Sequence, residues 1–171
     1  MHKKYKEKKL FVVSIGGNIS SSHIENHDIR WFAATCIQDT FSQIKKEWIG
    51  NKKGLHIDSY VVASYIDGYK VIIKKRNGNT QHSKSSKLKY QNYLWFVNLG
   101  AYDKDSLYEL HKCGLVVANN SLKAKSKAKQ NFEISNNKKH CDNLAQIKSL
   151  QKLDNCSIVD LQGNYEIRLE V

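Results

Sequence analysis

The chain opens its apolar pattern with LFVVSIGG (10–17), a short β-branched run ending in two glycines, and LWFVNLGA (94–101) returns to it later. Apolar runs of this length, rich in Val, Ile and Phe, predict strands over 9–15 and 93–99. A second pair of runs predicts strands over 29–35 and 113–118. Ile37, Phe41, Ile44 and Trp48 then recur at helical spacing. They predict a helix over about 37–49, closed by Gly50 as a C-terminal glycine. Downstream, Asn119 or Asn120 can cap a second helix whose narrower stripe is Ala124, Ala128 and Phe132. Stripes of this kind are read as core. Two β-rich runs surround Asp67-Gly68 in IDSYVVASYIDGYKVIIKK (57–75), a strong hairpin signal. Two more surround Gln162-Gly163-Asn164 in CSIVDLQGNYEIRLEV (156–171).

These elements are two copies of one unit. At an offset of 84 residues, Leu10 falls on Leu94, Gly16 on Gly100, Glu25 on Glu109, His27 on His111, Ala34 on Ala118, His56 on His140 and Asp58 on Asp142. No gap is needed from position 10 to position 58, and 11 of these 49 positions are identical. About eleven extra residues near 148–154 then shift the register of the second copy. The polar, Ser/Asn/Lys-rich segment 76–92 reads as a linker. The expected organisation is a basic leader over 1–8, repeat one over 9–75, the linker, and repeat two over 93–171. The expected fold class is α+β. Each repeat contributes strand, strand, helix, strand, strand. One four-stranded antiparallel sheet with one helix leaves a face uncovered, so the copies are expected to pack as a pseudo-two-fold pseudo-dimer in one body.

The duplication also carries the candidate chemistry. Glu25-x-His27 and His56-x-Asp58 return as Glu109-x-His111 and His140-x-Asp142, with the same spacing between the histidines. Residues two apart in extended chain point to one side. Each pair can therefore aim an imidazole and a carboxylate at one point. That donor set suits zinc, manganese or non-haem iron, and equally a carboxylate that orients a histidine base. Divergent copies also keep what the fold needs, and structural pairing of His27 with the His56/Asp58 segment is the favoured reading. No cofactor is expected; a divalent transition metal at these eight residues is the alternative. Gly16-Gly17 is read as a turn rather than an anion cradle, and Tyr60, Tyr65 and Tyr69 as packing residues rather than a base-stacking face. His2, His23 and His82 have no counterpart. No P-loop, G-x-G-x-x-G or G-x-S-x-G is present.

Charge changes this picture little. The net charge is +12 over 171 residues, which invites a nucleic-acid reading. Almost all of it is lysine, spread along the whole chain, and only Arg30, Arg76 and Arg168 are arginine. Arginine is the residue that forks onto phosphate and guanine. The absence of proline and the wealth of Asn and Ile point to a coding bias that accumulates lysine. A nucleic-acid or polyanion surface is therefore disfavoured. No apolar run reaches the roughly 18–20 residues of a membrane span, and Leu10–Ile15 is too short for a signal peptide. Cys36, Cys113, Cys141 and Cys156 make no C-x-x-C pair and read as reduced thiols of a cytoplasmic protein. Cys113 and Cys156 are expected in the core.

With LFVVSIGG, IENHDIRWFAA, KGLHIDSY and LWFVNLGAYD…YELH on the page, the chain resembles the bacterial family known as domain of unknown function 1543. The resemblance covers most of 10–73 and 94–118 and thins from Ser135 to Asp154. It implies a bacterial, intracellular, two-copy protein and carries no catalytic residue. The leading expectation is a non-enzymatic binding protein, monomeric or weakly oligomeric, of unknown ligand. A metal-dependent or acid–base enzyme built on the duplicated clusters is the alternative, and a lysine-driven polyanion binder the third.

Overall fold

The computed structural model describes residues 6–76, 91–102, 107–133 and 155–171. They fall into two compact units, one drawn from Met1–Gln81 with Asp160–Val171 and the other from His82–Val159. The architecture is mixed, with antiparallel sheets and short helices.

In the first unit, β1 (Lys9–Gly17) is the central strand of a three-stranded sheet, flanked by β2 (Asn26–Ala34) and β3 (His56–Val62). Alternation along β1 sends Phe11, Val13 and Ile15 to one face, where they meet Phe32, Ala34, Ile44 and Trp48 in a buried cluster. A 3-10 turn (Ile37–Thr40) leads into α1 (Phe41–Glu47), which covers that face. The helix is shorter than its apolar stripe suggests. Trp48 is already extended, at φ −66° and ψ 128°, and Phe41 is exposed. Gly50 does not cap the helix in a left-handed conformation. Its place is fixed by crowding, since a Cβ there would stand 2.5 Å from the Asn18 carbonyl oxygen.

Past β3 the expected four-stranded sheet does not form. The hairpin at Asp67-Gly68 is present, both residues having positive φ (53° and 84°) as a tight hairpin turn requires. It joins β4 (Tyr65–Ile66) to β5 (Tyr69–Lys75) in a separate sheet. The third strand of that sheet is β9 (Tyr165–Glu170), from the far end of the chain, with Lys70 opposite Glu170 and Lys75 opposite Tyr165. Arg76 secures the crossing segment: its Nη2 donates to Asp160 Oδ1 at 2.7 Å, and its backbone N–H to Asn164 O at 2.7 Å. The expected hairpin around Gly163 is thus a crossover, and 160–171 belongs with the first unit.

In the second unit β6 (Tyr93–Tyr102) lies between β7 (Glu109–Ala118) and β8 (Asn155–Ile158). The β6–β7 pairing repeats that of β1 and β2 residue for residue: Gly100 faces His111 as Gly16 faces His27. The helix α2 (Ser121–Glu133) is capped by Asn120, whose Oδ1 accepts the Lys123 N–H at 2.9 Å. Ala124 and Ala128 are fully buried against Trp95, Val97, Val116 and Ala118. Small side chains there let the helix approach the sheet closely. Ala63 N–H donates to Leu10 O in the first unit, and Val159 N–H to Leu94 O in the second. The second repeat takes twelve more residues to make that return, where about eleven are expected. No helix among the described residues is long and apolar enough to cross a membrane.

Some side chains depart from expectation. Tyr65 and Tyr60 are exposed rather than packed, although the Tyr60 ring stands 5.9 Å from that of Phe11. Among the described cysteines, Cys36 and Cys113 are exposed and only Cys156 is partly covered; all three are free thiols. Cys113 misses the core because β7 turns it to the polar side of the strand, where its Sγ donates to Asn98 Oδ1.

Candidate functional site

The two glycines after LFVVSI are not in a turn. Both belong to β1, and each serves close approach. Gly16 is opposite His27 on β2 and opposite His56 on β3. In an antiparallel sheet, residues facing each other across adjacent strands share a face. The two imidazoles therefore rise on either side of a position that has no side chain. A Cβ on Gly16 would stand 3.0 Å from His56 Nε2 and 3.2 Å from His27 Nε2. On the other face, Gly17 makes room for the Trp48 ring in the same way.

The carboxylates close the group. Glu25, two residues before His27, reaches both rings, with Oε2 3.6 Å from His27 Nε2 and Oε1 3.5 Å from His56 Nε2. Asp58 does the same from β3, with Oδ2 3.7 Å from His27 Nε2 and Oδ1 3.0 Å from His56 Nε2. The β1–β3 register shifts between Ser14 and Ile15, where Ser59 and Ile57 are the partners and Asp58 is left over. Asp58 is the extra residue of a β-bulge, a device that re-aims a side chain at the edge of a sheet. Ser14 Oγ donates to Asp58 Oδ2 at 3.2 Å and steadies it. The four side chains are between 31% and 53% exposed, so the group is open to water.

Protonation follows from these contacts. His56 Nδ1 lies 2.8 Å from the Gly54 carbonyl oxygen, which can only accept, so Nδ1 carries a proton. In the neutral ring Nε2 would then aim its lone pair at the Asp58 carboxylate. A second proton, or another cation, relieves that repulsion. The His56 pKa is accordingly raised from its ordinary 6.5, chiefly by the Gly54 carbonyl and then by Glu25 and Asp58, with desolvation opposing.

The donors are near the spacing of a tetrahedral site. Ligands held about 2.0–2.1 Å from zinc stand about 3.3 Å from one another, and the four cross-distances run from 3.0 to 3.7 Å. Among the described residues, however, no group of three such side chains is already closed around one point. Each carboxylate offers a different oxygen to each imidazole, so a shared metal requires both carboxylates to turn. Carboxylate rotation at an exposed site meets little resistance.

In the second unit Glu109 Oε2 lies 3.7 Å from His111 Nε2. Asn98, which occupies the position of Ser14, approaches His111 Nδ1 with its amide at 3.2 Å. His140 and Asp142 lie outside the described residues, as do Cys141, His2 and His82. His23 is exposed and belongs to neither group. The sequence pattern missed Ser14 and Gly16 as parts of the cluster; only Gly16 left a signal, its retention as Gly100.

No curated protein matches the chain. Among solved structures it is similar to the crystal structure of a protein Il1583 from Idiomarina loihiensis, with 29% identity, a TM-score of 0.64, and coverage of 96% of this chain and 86% of that one. The family model described as Domain of Unknown Function (DUF1543) matches residues 22–73 and 106–156. The second match continues through 135–154, where the resemblance of the motifs thins. The matched segments hold both Glu-x-His pairs and both His-x-Asp pairs, and together they span more than half of the sequence. The chain therefore belongs to the DUF1543 family and carries its domain in two tandem copies.

Proposed function

We propose that this chain is a cytoplasmic binding protein, without catalytic activity of its own, whose first unit captures a divalent transition-metal ion on Glu25, His27, His56 and Asp58. The observation that carries the reading is the meeting of two imidazole Nε2 atoms and two carboxylates above Gly16, all within 3.0 to 3.7 Å of one another across the four His–carboxylate pairs. Two neutral imidazoles with two carboxylates neutralise a divalent ion. Zinc suits this nitrogen and oxygen set. The Gly54 carbonyl on His56 Nδ1 is the outer-shell contact that ligating histidines commonly have, and it turns Nε2 toward the metal. Binding is favoured over catalysis because the group stands half-exposed to water among the described residues, whereas a reacting centre is commonly closed off from water.

Calorimetric titration of untagged, chelator-treated protein with zinc tests this. One zinc bound in the first unit at micromolar or tighter affinity, abolished in a His27→Ala, His56→Ala double variant that keeps its fold, is the expected result. An unchanged isotherm in that variant, or no binding at about 1 mM zinc, overturns it.

A further inference from the structure

The first unit contains a cleft that shares no residue with the histidine cluster. Its volume is about 410 Å³, at the small end of the range for ligand pockets. Its walls include Lys8 ahead of β1, Trp31 on β2, Asp39 and Gln43 around α1, Lys75 at the end of β5, and Tyr165 at the start of β9. The crossing segment thus completes it: without β9 one wall is missing.

Two features set its chemistry. The first is an excess of positive charge, two lysines to one carboxylate in the lining. Neither Lys8 nor Lys75 is paired with a carboxylate among the described residues. Against them stands one carboxylate in the described lining, Asp39, which accepts both the backbone N–H and the hydroxyl of Thr35 and is held ionised by them, so the lining keeps an excess of one positive charge. Asp160, next to the cleft lining, is held by Arg76 at 2.7 Å. Lys8 is preorganised: Nζ donates to Ala33 O at 3.2 Å and sits 4.9 Å from the centre of the Tyr165 ring. A lysine has three donors, so that contact leaves capacity for a ligand oxygen. The second feature is a fixed aromatic. Trp31 Nε1–H donates to Asp160 O at 2.8 Å, which pins the indole in the wall. A planar apolar surface beside two lysines favours a ligand with a ring and a negative charge.

We propose that this cleft binds a small planar organic anion, its ring against Trp31 and its carboxylate or phosphate on Lys8 and Lys75. The site is independent of metal capture by the histidine cluster.

The test follows the Trp31 indole N–H by NMR during titration of the full chain. Benzoate and phenyl phosphate are the anionic probes and separate carboxylate from phosphate. Benzyl alcohol is the uncharged control and inorganic phosphate the ringless one. Saturable shifts with at least one anionic probe are expected, at least tenfold weaker in a Lys8→Gln, Lys75→Gln variant whose remaining spectrum is unchanged. Each single variant is expected to weaken binding by a smaller factor, which keeps the test available if the double variant fails to fold. The proposal is overturned if neither probe moves the Trp31 signal at about 10 mM, if benzyl alcohol moves it equally, if inorganic phosphate binds as tightly as phenyl phosphate, or if the lysine variants bind unchanged.

Discussion

His56 Nε2 and Asp58 Oδ1 stand 3.0 Å apart, brought together by the bulge that leaves Asp58 without a partner on β1. The Gly54 carbonyl on the other ring nitrogen, and after it the Glu25 and Asp58 carboxylates, make His56 a better base in the folded chain than in the unfolded one.

Linkage gives the sign of its effect on stability. The folded pKa is raised from 6.5, so the protonated ring stabilises the fold fully below about pH 6.5. That contribution is lost as pH rises through the higher folded value. In metal-free buffer, the wild-type melting temperature is expected to fall more steeply than that of His56→Gln as pH rises from about 6 to 8. Parallel pH profiles for the two would show that the contacts do not hold the proton.

Under the proposed metal capture, zinc and this proton compete for Nε2. Zinc affinity is expected to weaken as pH falls below neutrality, with proton release on binding near pH 6. Calorimetry in buffers of different ionisation enthalpy measures that release directly. A pH-independent affinity would exclude His56 from the ligand set.

Gly16→Ala tests the geometry rather than the ligands. The added methyl stands about as close as atoms can come to both imidazoles, so the rings must part. The chain is expected to fold, losing about 1–3 kcal/mol by overpacking, while zinc affinity drops by at least tenfold. Urea unfolding and zinc titration of the same sample separate the two effects. Unchanged affinity would place the metal elsewhere.

On the opposite face of β1, Ile15 is 1% exposed within the cluster formed with Phe32, Ile44 and Trp48. Ile15→Ala is expected to cost about 2–5 kcal/mol and Ile15→Val about 1 kcal/mol. A cost under about 1 kcal/mol for the alanine variant in urea unfolding would show that this core is loosely packed.

Removal of 160–171 strips β9 from β5 and takes Asp160 from Arg76 and Trp31. Amide exchange is expected to accelerate across 69–76 while 94–98, held by β7 and β8, stays protected. Equal acceleration in both segments would mean that the two units lack separate stability.

Much of this was legible in the sequence because the duplication carries its own internal control. Equal spacing of Glu25, His27, His56 and Asp58 and their counterparts pointed to a convergent group, and in the first unit the four side chains do meet. The strands flanking each glycine were visible from apolar runs, since alternation and burial are local properties. Three features were not visible. The bulge at Asp58 leaves no compositional trace, because one surplus residue in a strand reads as ordinary strand. The helix end at Trp48 depends on packing against Gly17, which the stripe does not encode. The partner of β9 is set by contacts across most of the chain, whereas the pattern around Gly163 is that of a local hairpin; local chemistry described the turn residues and not the destination of the strand.

The pairing of Lys70 with Glu170 also orders events during synthesis. The first unit leads in the chain, yet its second sheet stays one strand short until the whole of the second unit has been translated. At roughly 5–20 residues per second, β5 waits several seconds with an open edge, a row of unpaired backbone groups beside the buried Ile72 and Ile73. Lys70, Lys74 and Lys75 lie along that same strand, and charge on a waiting edge is what discourages it from pairing with a neighbouring chain.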